Sequence, residues 1–297
     1  MALDRRSNGE KAFAVFNYVF MALLCVICLY PLWYVMMASL SDPVAMFAKR
    51  GILVWPLAPA TLKGYNLVMS DPNIPTAFRN TMIYLVAGTL LNMFVTITGA
   101  YGLSRKGLFW NGKIMKFIAF TMYFQGGLIP FYILVDKMKL MDSYAAIILP
   151  VVVNTWNLIV MRTSFTGVPD SLEESARLDG ANDWTILWRI FFPLSQATIA
   201  VITLFYAVYW WNNWFNPSLF LRSKTMYPLQ LRLREILIRN DNKPMQSLGA
   251  MAQTQLEQYR ILVKYCTIVV ATLPILVVYP FLQRYFVKGV MIGSIKG

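Results

Sequence analysis

The sequence predicts an all-α, polytopic membrane protein of about six transmembrane helices. Two observations carry this expectation. Only 14% of the 297 residues are charged against 58% hydrophobic, with a mean hydropathy of +0.52, whereas a soluble domain carries roughly a quarter of its residues charged. Those few charges are also bunched between long runs that hold none, which leaves too little polar surface to face water on every side.

The runs can be taken in order. They lie between Lys11 and Asp42, Arg79 and Arg105, Lys116 and Asp136, Asp142 and Arg162, Arg189 and Arg222, and Lys264 and Arg284. Crossing about 30 Å of hydrocarbon takes roughly 20 apolar residues, with a range of about 17–25. Each run meets or nearly meets that length, so helices are expected near 13–40, 80–104, 114–136, 143–165, 194–216 and 264–286. The first run is too long for the apolar core of a signal peptide and lacks a clear small-x-small cleavage site, so it reads as a retained helix.

The connections differ in character. A loop punctuated by Pro43, Pro56, Pro59, Pro72 and Pro75 joins the first two helices, and a short basic turn over 104–116 follows the second. Two connections are long, 166–193 and 217–263. In the latter, Leu229, Leu231, Leu233, Ile236 and Leu237 alternate with Arg232, Arg234 and Arg239. That pattern suits an amphipathic helix on a membrane or partner, or a solvated loop with a short helix.

Several chemistries are excluded. The chain has no histidine, which removes His-based metal sites and His-activated Ser or Cys nucleophiles. Cys25, Cys28 and Cys266 fall in apolar helices, where thiols behave as small apolar groups. No Asp or Glu lies within the six runs, against the intramembrane carboxylates that proton- or sodium-coupled carriers use and against an intramembrane enzyme. Gly107 to Lys113 has the spacing of a phosphate-binding loop as far as its lysine, but Ile114 stands where Ser or Thr would hold magnesium. The net charge of +13 is ordinary for the loops of a membrane protein and calls for no nucleic acid. With the N-terminus inside, 13 of the 27 Lys and Arg residues fall inside and 14 outside, so charge leaves the orientation open.

The most informative stretch runs from Pro169 through Asp170, Glu173, Glu174, Ser175, Ala176, Arg177, Asp179 and Gly180 to Ile190 and Pro193. It reads as a helix–turn–helix. Pro169 stands at the start, acidic residues fill the first turn where the macrodipole favours them, and Gly180 permits the turn that ends the helix. A short helix with an acidic tip, held between two crossings, is either a docking knob for a soluble partner or a polar linker.

Polar groups inside apolar runs mark a second set of candidates, because they face a cavity or another helix. These are Gln125 beside Gly126-Gly127, with Pro130 a turn later, a mid-span set able to break the third helix, and Asn154 and Asn157, three apart on one face of the fourth helix with Trp156 between them. Tyr209, Trp210 and Asn213 belong to the aromatic and amide cluster that ends the fifth run. They would line a path for a hydroxyl-rich substrate, bond across helices, or form an interfacial aromatic belt.

At the helix–turn–helix the sequence resembles the permease subunits of binding-protein-dependent ABC importers. Their pattern is Glu-Ala-Ala, three residues, Gly, nine residues, Ile-x-Leu-Pro. It stands here as Glu174-Ser175-Ala176, Gly180, Ile190 and Pro193 with every spacing kept, Ser175 and Phe192 being the departures. Leu178 to Ala181, Arg79-Asn80-Thr81, Tyr227 to Leu231 and the tail Gly289 to Gly297 are similar to the sugar-importing branch, above all to the second permease of maltose-type systems. Gln125 to Pro130 and Met161-Arg162-Thr163 resemble its oligosaccharide and polysaccharide-fragment subgroup.

The resemblance implies a single type I permease domain over 1–297, with 166–193 the cytoplasmic loop that couples to an ATPase and 217–263 extracytoplasmic. It implies a multi-pass protein of the bacterial inner membrane with both termini cytoplasmic, and no catalysis by this chain. ATP and magnesium would sit on two ATPase subunits. A second permease, an extracytoplasmic solute-binding protein, membrane lipid and a saccharide complete the expected partners. The basic residues of 222–264 suit an anionic saccharide, an acidic binding protein or plain solvation. An autonomous secondary carrier or channel is the alternative.

Overall fold

The computed structural model describes residues 7–48, 51–124, 126–242, 258 and 260–277. Among these every regular element is helical. The chain divides into two compact units, 1–71 with 235–273, and 72–234 with 274–297.

The first unit holds α1 (Asn8–Ser39), α2 (Pro43–Ala48), α3 (Lys63–Met69) and, up to residue 273, a helix over Arg260–Val277. The backbone N–H of Ser7 donates to Glu10 Oε2 at 2.8 Å, closing the start of α1. Along most of its length α1 exposes Phe, Leu, Val and Ile, and burial begins only at Met37. Such a helix is satisfied in its own backbone and needs an apolar medium around it. Met37, Ala38, Met46 and Leu53 form a small core closed by Tyr34, Leu57 and Tyr265.

The second unit begins with α4 (Asn73–Ser104), a second unbroken helix of spanning length. The next three expected spans are all broken. The third is α5 (Asn111–Tyr123) followed by α6 (Leu128–Lys137), interrupted at Phe124 to Gly127. The fourth is α7 (Tyr144–Ile148), which tightens into a 3₁₀ turn at Leu149–Val151, and α8 (Thr155–Thr166), bent by 49°. Pro150 has no N–H to continue the ladder and Asn154 is extended, so the break is set by sequence.

After α8 comes α9 (Asp170–Leu178). The fifth span is then α10 (Asp183–Ile186), a π-helical turn at Leu187–Phe191, α11 (Phe192–Leu194) and α12 (Gln196–Asn212), with an 87° bend at Ser195. The wide turn precedes Pro193, where the missing N–H would otherwise leave a carbonyl open. The unit ends with α13 (Phe215–Phe220) and the start of α14 (Leu229–Asn242). In all, three described helices could cross a membrane unbroken, and six could if each bent pair is one span.

Buried amides hold this unit where spans break. Asn92 of α4 donates Nδ2 to the carbonyls of Val151 and Val152 at 2.9 and 2.7 Å, groups freed by the break in the fourth span. Its Oδ1 accepts from Trp210 Nε1 at 2.8 Å. Nearer the start of α4, Asn80 donates to the carbonyls of Thr225 and Tyr227 at 2.7 and 3.1 Å and accepts from Tyr144 Oη at 2.9 Å. Thr81 Oγ1 accepts the Leu229 N–H at 2.8 Å. Two motifs that lie far apart in sequence, Arg79-Asn80-Thr81 and Tyr227 to Leu231, are therefore partners. Leu229, Leu231 and Leu233 are buried, so the start of α14 packs into the protein rather than lying on a membrane surface.

Candidate functional site

The acidic segment forms α9, capped at its N-terminal side by Pro169 and carrying Asp170 and Glu173 in the first turn. It buries none of its residues. Its C-terminal end is a full Schellman closure. The Ala181 N–H donates to the Ala176 carbonyl at 2.9 Å and the Gly180 N–H to the Arg177 carbonyl at 3.0 Å, with Gly180 at φ +80°. Asn182 then caps α10, its Oδ1 accepting from the Thr185 N–H at 2.9 Å.

A closed circuit of charges holds α9 against the end of α4 and the start of the fifth span. Arg105, one residue past α4, pairs through Nη1 with Glu173 Oε2. Glu173 Oε1 accepts from Arg177 Nε and Nη2 at 3.1 and 2.9 Å, and Arg177 Nη2 reaches Asp183 Oδ1 at 2.6 Å. Tyr101 Oη donates to the same oxygen at 3.3 Å, which returns the circuit to α4. Glu173 and Asp183 hold the Arg177 guanidinium above its ordinary pKa, the Glu173 hydrogen bond foremost. Outside the circuit, Lys106 pairs with Asp170 and its ammonium is likewise raised, while both side chains stay exposed.

What α9 turns outward is different. Leu178 is 89% exposed, and Leu172, about 120° round the helix, is exposed as well. Glu174, exposed, has no hydrogen-bond or ion-pair partner among the described residues. Trp184 and Trp188 continue the exposed apolar surface. A shallow cavity of about 140 Å³ lies beside it, lined by Thr98, Tyr101, Asp183, Trp184 and Leu187. The inner face of α9 is thus fixed by ion pairs, and the outer face offers a carboxylate and two leucines to something else.

The amide and aromatic candidates are not gathered into one site. Gln125 lies outside the described residues. Asn154 and Asn157 do not share a helix face: Asn154 is the extended N-cap of α8, its Oδ1 accepting the Asn157 N–H at 3.0 Å. The Pro150 break turns what looked like mid-helix spacing into a cap. Asn157 is buried, whereas Asn154 and Trp156 are exposed.

Trp210 is no lining residue. It is 1% exposed, wedged against Gly88 and bonded to Asn92. Its neighbour Tyr209, about 100° round the helix and packed edge to face on it with centroids 5.2 Å apart, stays 40% exposed and accepts from Asn216 Nδ2 at 3.3 Å. Asn213 is half-buried with Nδ2 unpartnered among the described residues. Trp214 is covered by the Arg234 guanidinium at 3.4 Å from the ring centroid.

Sequence reasoning passed over Arg105, Asp183 and Asn92. The search for polar residues in apolar runs that selected Asn154 applies equally to Asn92. Nothing local marks Arg105, whose carboxylate partner Glu173 lies 68 residues on, and Asp183 is tied to α4 only through Tyr101. No group of three His, Cys, Asp or Glu residues able to hold a metal exists among the described residues.

Residues 103–292, which include α9 and all of the circuit but Tyr101, match the family described as binding-protein-dependent transport system inner membrane component. The chain is 38% identical over 292 residues to the polygalacturonan/rhamnogalacturonan transport system permease protein YtcP of Bacillus subtilis (strain 168), covering 97% of this chain and 99% of that one. It is 37% identical over 291 residues to protein LplC of the same organism, covering 98% and 97%. Among solved structures it superposes with a TM-score of 0.85 and 31% identity, over 96% of this chain and all of the other, on a chain of a bacterial ABC transporter involved in the import of the acidic polysaccharide alginate. By the match over most of its length and by these relatives, this chain belongs to the family of binding-protein-dependent transport system inner membrane components.

Proposed function

We propose that this chain is one of two permease subunits of an ATP-driven importer that moves an oligosaccharide or polysaccharide fragment, anionic in character, across the bacterial inner membrane. The observation that carries the coupling part is α9, an exposed helix fixed on its inner face by Glu173 and Arg177 and free on its outer face at Glu174, Leu172 and Leu178. A rigid knob of this kind suits a cleft on an ATPase subunit, which alone would bind ATP and magnesium. Glu173, Glu174, Ser175, Ala176, Arg177, Asp179 and Gly180 form this coupling segment within 166–193, on the cytoplasmic side.

With that loop inside, both termini are cytoplasmic and 217–263 faces outward, toward a solute-binding protein. The anionic substrate is supported by the solved relative described as importing the acidic polysaccharide alginate and by the exposed basic residues Arg222, Lys224 and Arg234 on the outward segment. Asn154, Trp156, Tyr209 and Asn213 remain the exposed or half-buried groups suited to sugar hydroxyls and ring faces. Gln125 joins them on sequence grounds, and Asn157 and Trp210 support the path from within the protein.

The test is reconstitution in proteoliposomes with the second permease, the ATPases and the binding protein, comparing wild type with Glu174→Ala/Gly180→Pro. Loss of both uptake and binding-protein-stimulated hydrolysis in an assembled complex supports coupling through α9. Uptake that persists without ATP or ATPase sinks the reading in favour of an autonomous carrier.

A further inference from the structure

We infer that Arg105 is the positioning residue that makes α9 move together with α4 and the fifth span, so that displacement of the exposed knob is conveyed to the membrane helices. The inference rests on the importer reading above and adds the residue through which that loop acts.

The geometry singles Arg105 out. Its guanidinium lies 4.8 Å from the Tyr101 ring centroid and 4.1 Å from that of Phe191, so one planar cation faces a ring of α4 and a ring of the π-helical turn. The same group pairs with Glu173 of α9 and donates from Nε and Nη2 to Ser104 Oγ at 3.2 and 2.8 Å. Three elements thus meet on one side chain, 18% exposed, against a carboxylate 16% exposed. Partial burial keeps such a pair from being screened as surface pairs are.

The location matters as much as the contacts. Phe191 ends the π turn that precedes the 87° bend at Ser195, and wide turns of this kind recur at functional sites. Tyr101 and Phe191 also pack edge to face, with centroids 5.3 Å apart. A pull on α9 is therefore applied through Glu173 and Arg105 to a rigid ring pair at the foot of two membrane helices. The circuit's other link, Arg177 to Asp183, is 49% and 64% exposed and so yields more easily.

Lysine cannot replace this group. It keeps the charge for Glu173 but has no plane to lie against two rings and no fork to reach Ser104 simultaneously. The test uses the complete importer in proteoliposomes with Arg105→Lys, Arg105→Gln and the near-isosteric Glu173→Gln. The readouts are co-purification of subunits, ATP hydrolysis, and sugar imported per ATP hydrolysed.

Arg105→Gln and Glu173→Gln are expected to assemble within twofold of wild type while import per ATP falls at least tenfold, with Arg105→Lys recovering only part. Import per ATP within twofold of wild type in Arg105→Gln overturns the inference. So does loss of import and hydrolysis in proportion to lost complex, or full recovery with lysine, since a purely structural charge would behave that way. If wild type itself imports without ATP or ATPase, it is the importer reading that fails.

Discussion

Replacing Gly88 by alanine tests the packing that holds α4 to α12. A Cβ built on Gly88 falls 2.3 Å from Trp210 Cε2, 2.5 Å from Nε1 and 2.6 Å from Cζ2. The clash is with the rigid end of an indole that is 1% exposed, so no flexible tip can swing aside. Nor can the ring retreat freely, because Nε1 donates to Asn92 Oδ1 at 2.8 Å, and Asn92 in turn holds the open carbonyls of the fourth span. Overpacking costs about 1–3 kcal/mol, and one interhelical hydrogen bond in a membrane protein about 0.6–1.7. Together Gly88→Ala should destabilise by about 2–5 kcal/mol, which at roughly 2–4 °C per kcal/mol lowers the midpoint by about 4–20 °C. The assay is the fraction of purified chain still monodisperse on gel filtration after heating. Adding Trp210→Phe, which shortens the clashing ring, should make the double variant cost less than the two singles summed. A midpoint within 1 °C of wild type, or strict additivity, would refute the close contact.

Two further predictions concern exposed segments. Gly180→Ala forces an L side chain into φ +80°, at about 1–2 kcal/mol. Hydrogen exchange over 170–182 should quicken by roughly 5–30-fold, and unchanged exchange would refute the strained closure. Asp142 is held below its ordinary carboxyl pKa of 3.8 by the Ser223 hydroxyl first, then by the Ser223 and Arg222 N–H groups. A depressed folded pKa means the contribution is complete above the unfolded value and drains away as pH falls through the folded one. The stability gap between wild type and Asp142→Asn should accordingly be widest near neutrality and narrow once pH drops below 3.8. A gap that stays constant into acid would show that the carboxylate charge is not what ties 220–223 to Asp142.

How far the sequence could be read depended on whether a feature is local. The six charge-free runs and the helix ended by Gly180 are local, because span length and cap chemistry are decided within one stretch of chain. So was the expectation that Gly126-Gly127 interrupts the third helix. The break at Pro150 was equally present in the sequence, yet Asn154 and Asn157 read as one helix face because spacing alone assumes an unbroken helix. Trp210 read as a path residue because an aromatic beside amides suits a sugar. In fact Gly88, more than a hundred residues earlier, makes the hollow that receives it.

The sequence by itself determined an all-helical membrane protein with a short acidic helix between two crossings, since burial in lipid requires self-satisfied backbone over runs of sufficient length. It also determined where that helix begins and ends. Only the tertiary structure decided that Glu173 turns inward to Arg105, while its neighbour Glu174 has no hydrogen-bond or ion-pair partner among the described residues. Glu173 has Arg177 four residues on where Glu174 has Leu178, so that local ion pair is legible in the sequence. The further pairing with Arg105, 68 residues earlier, is set by α4 and Phe191 arriving from other segments of the chain.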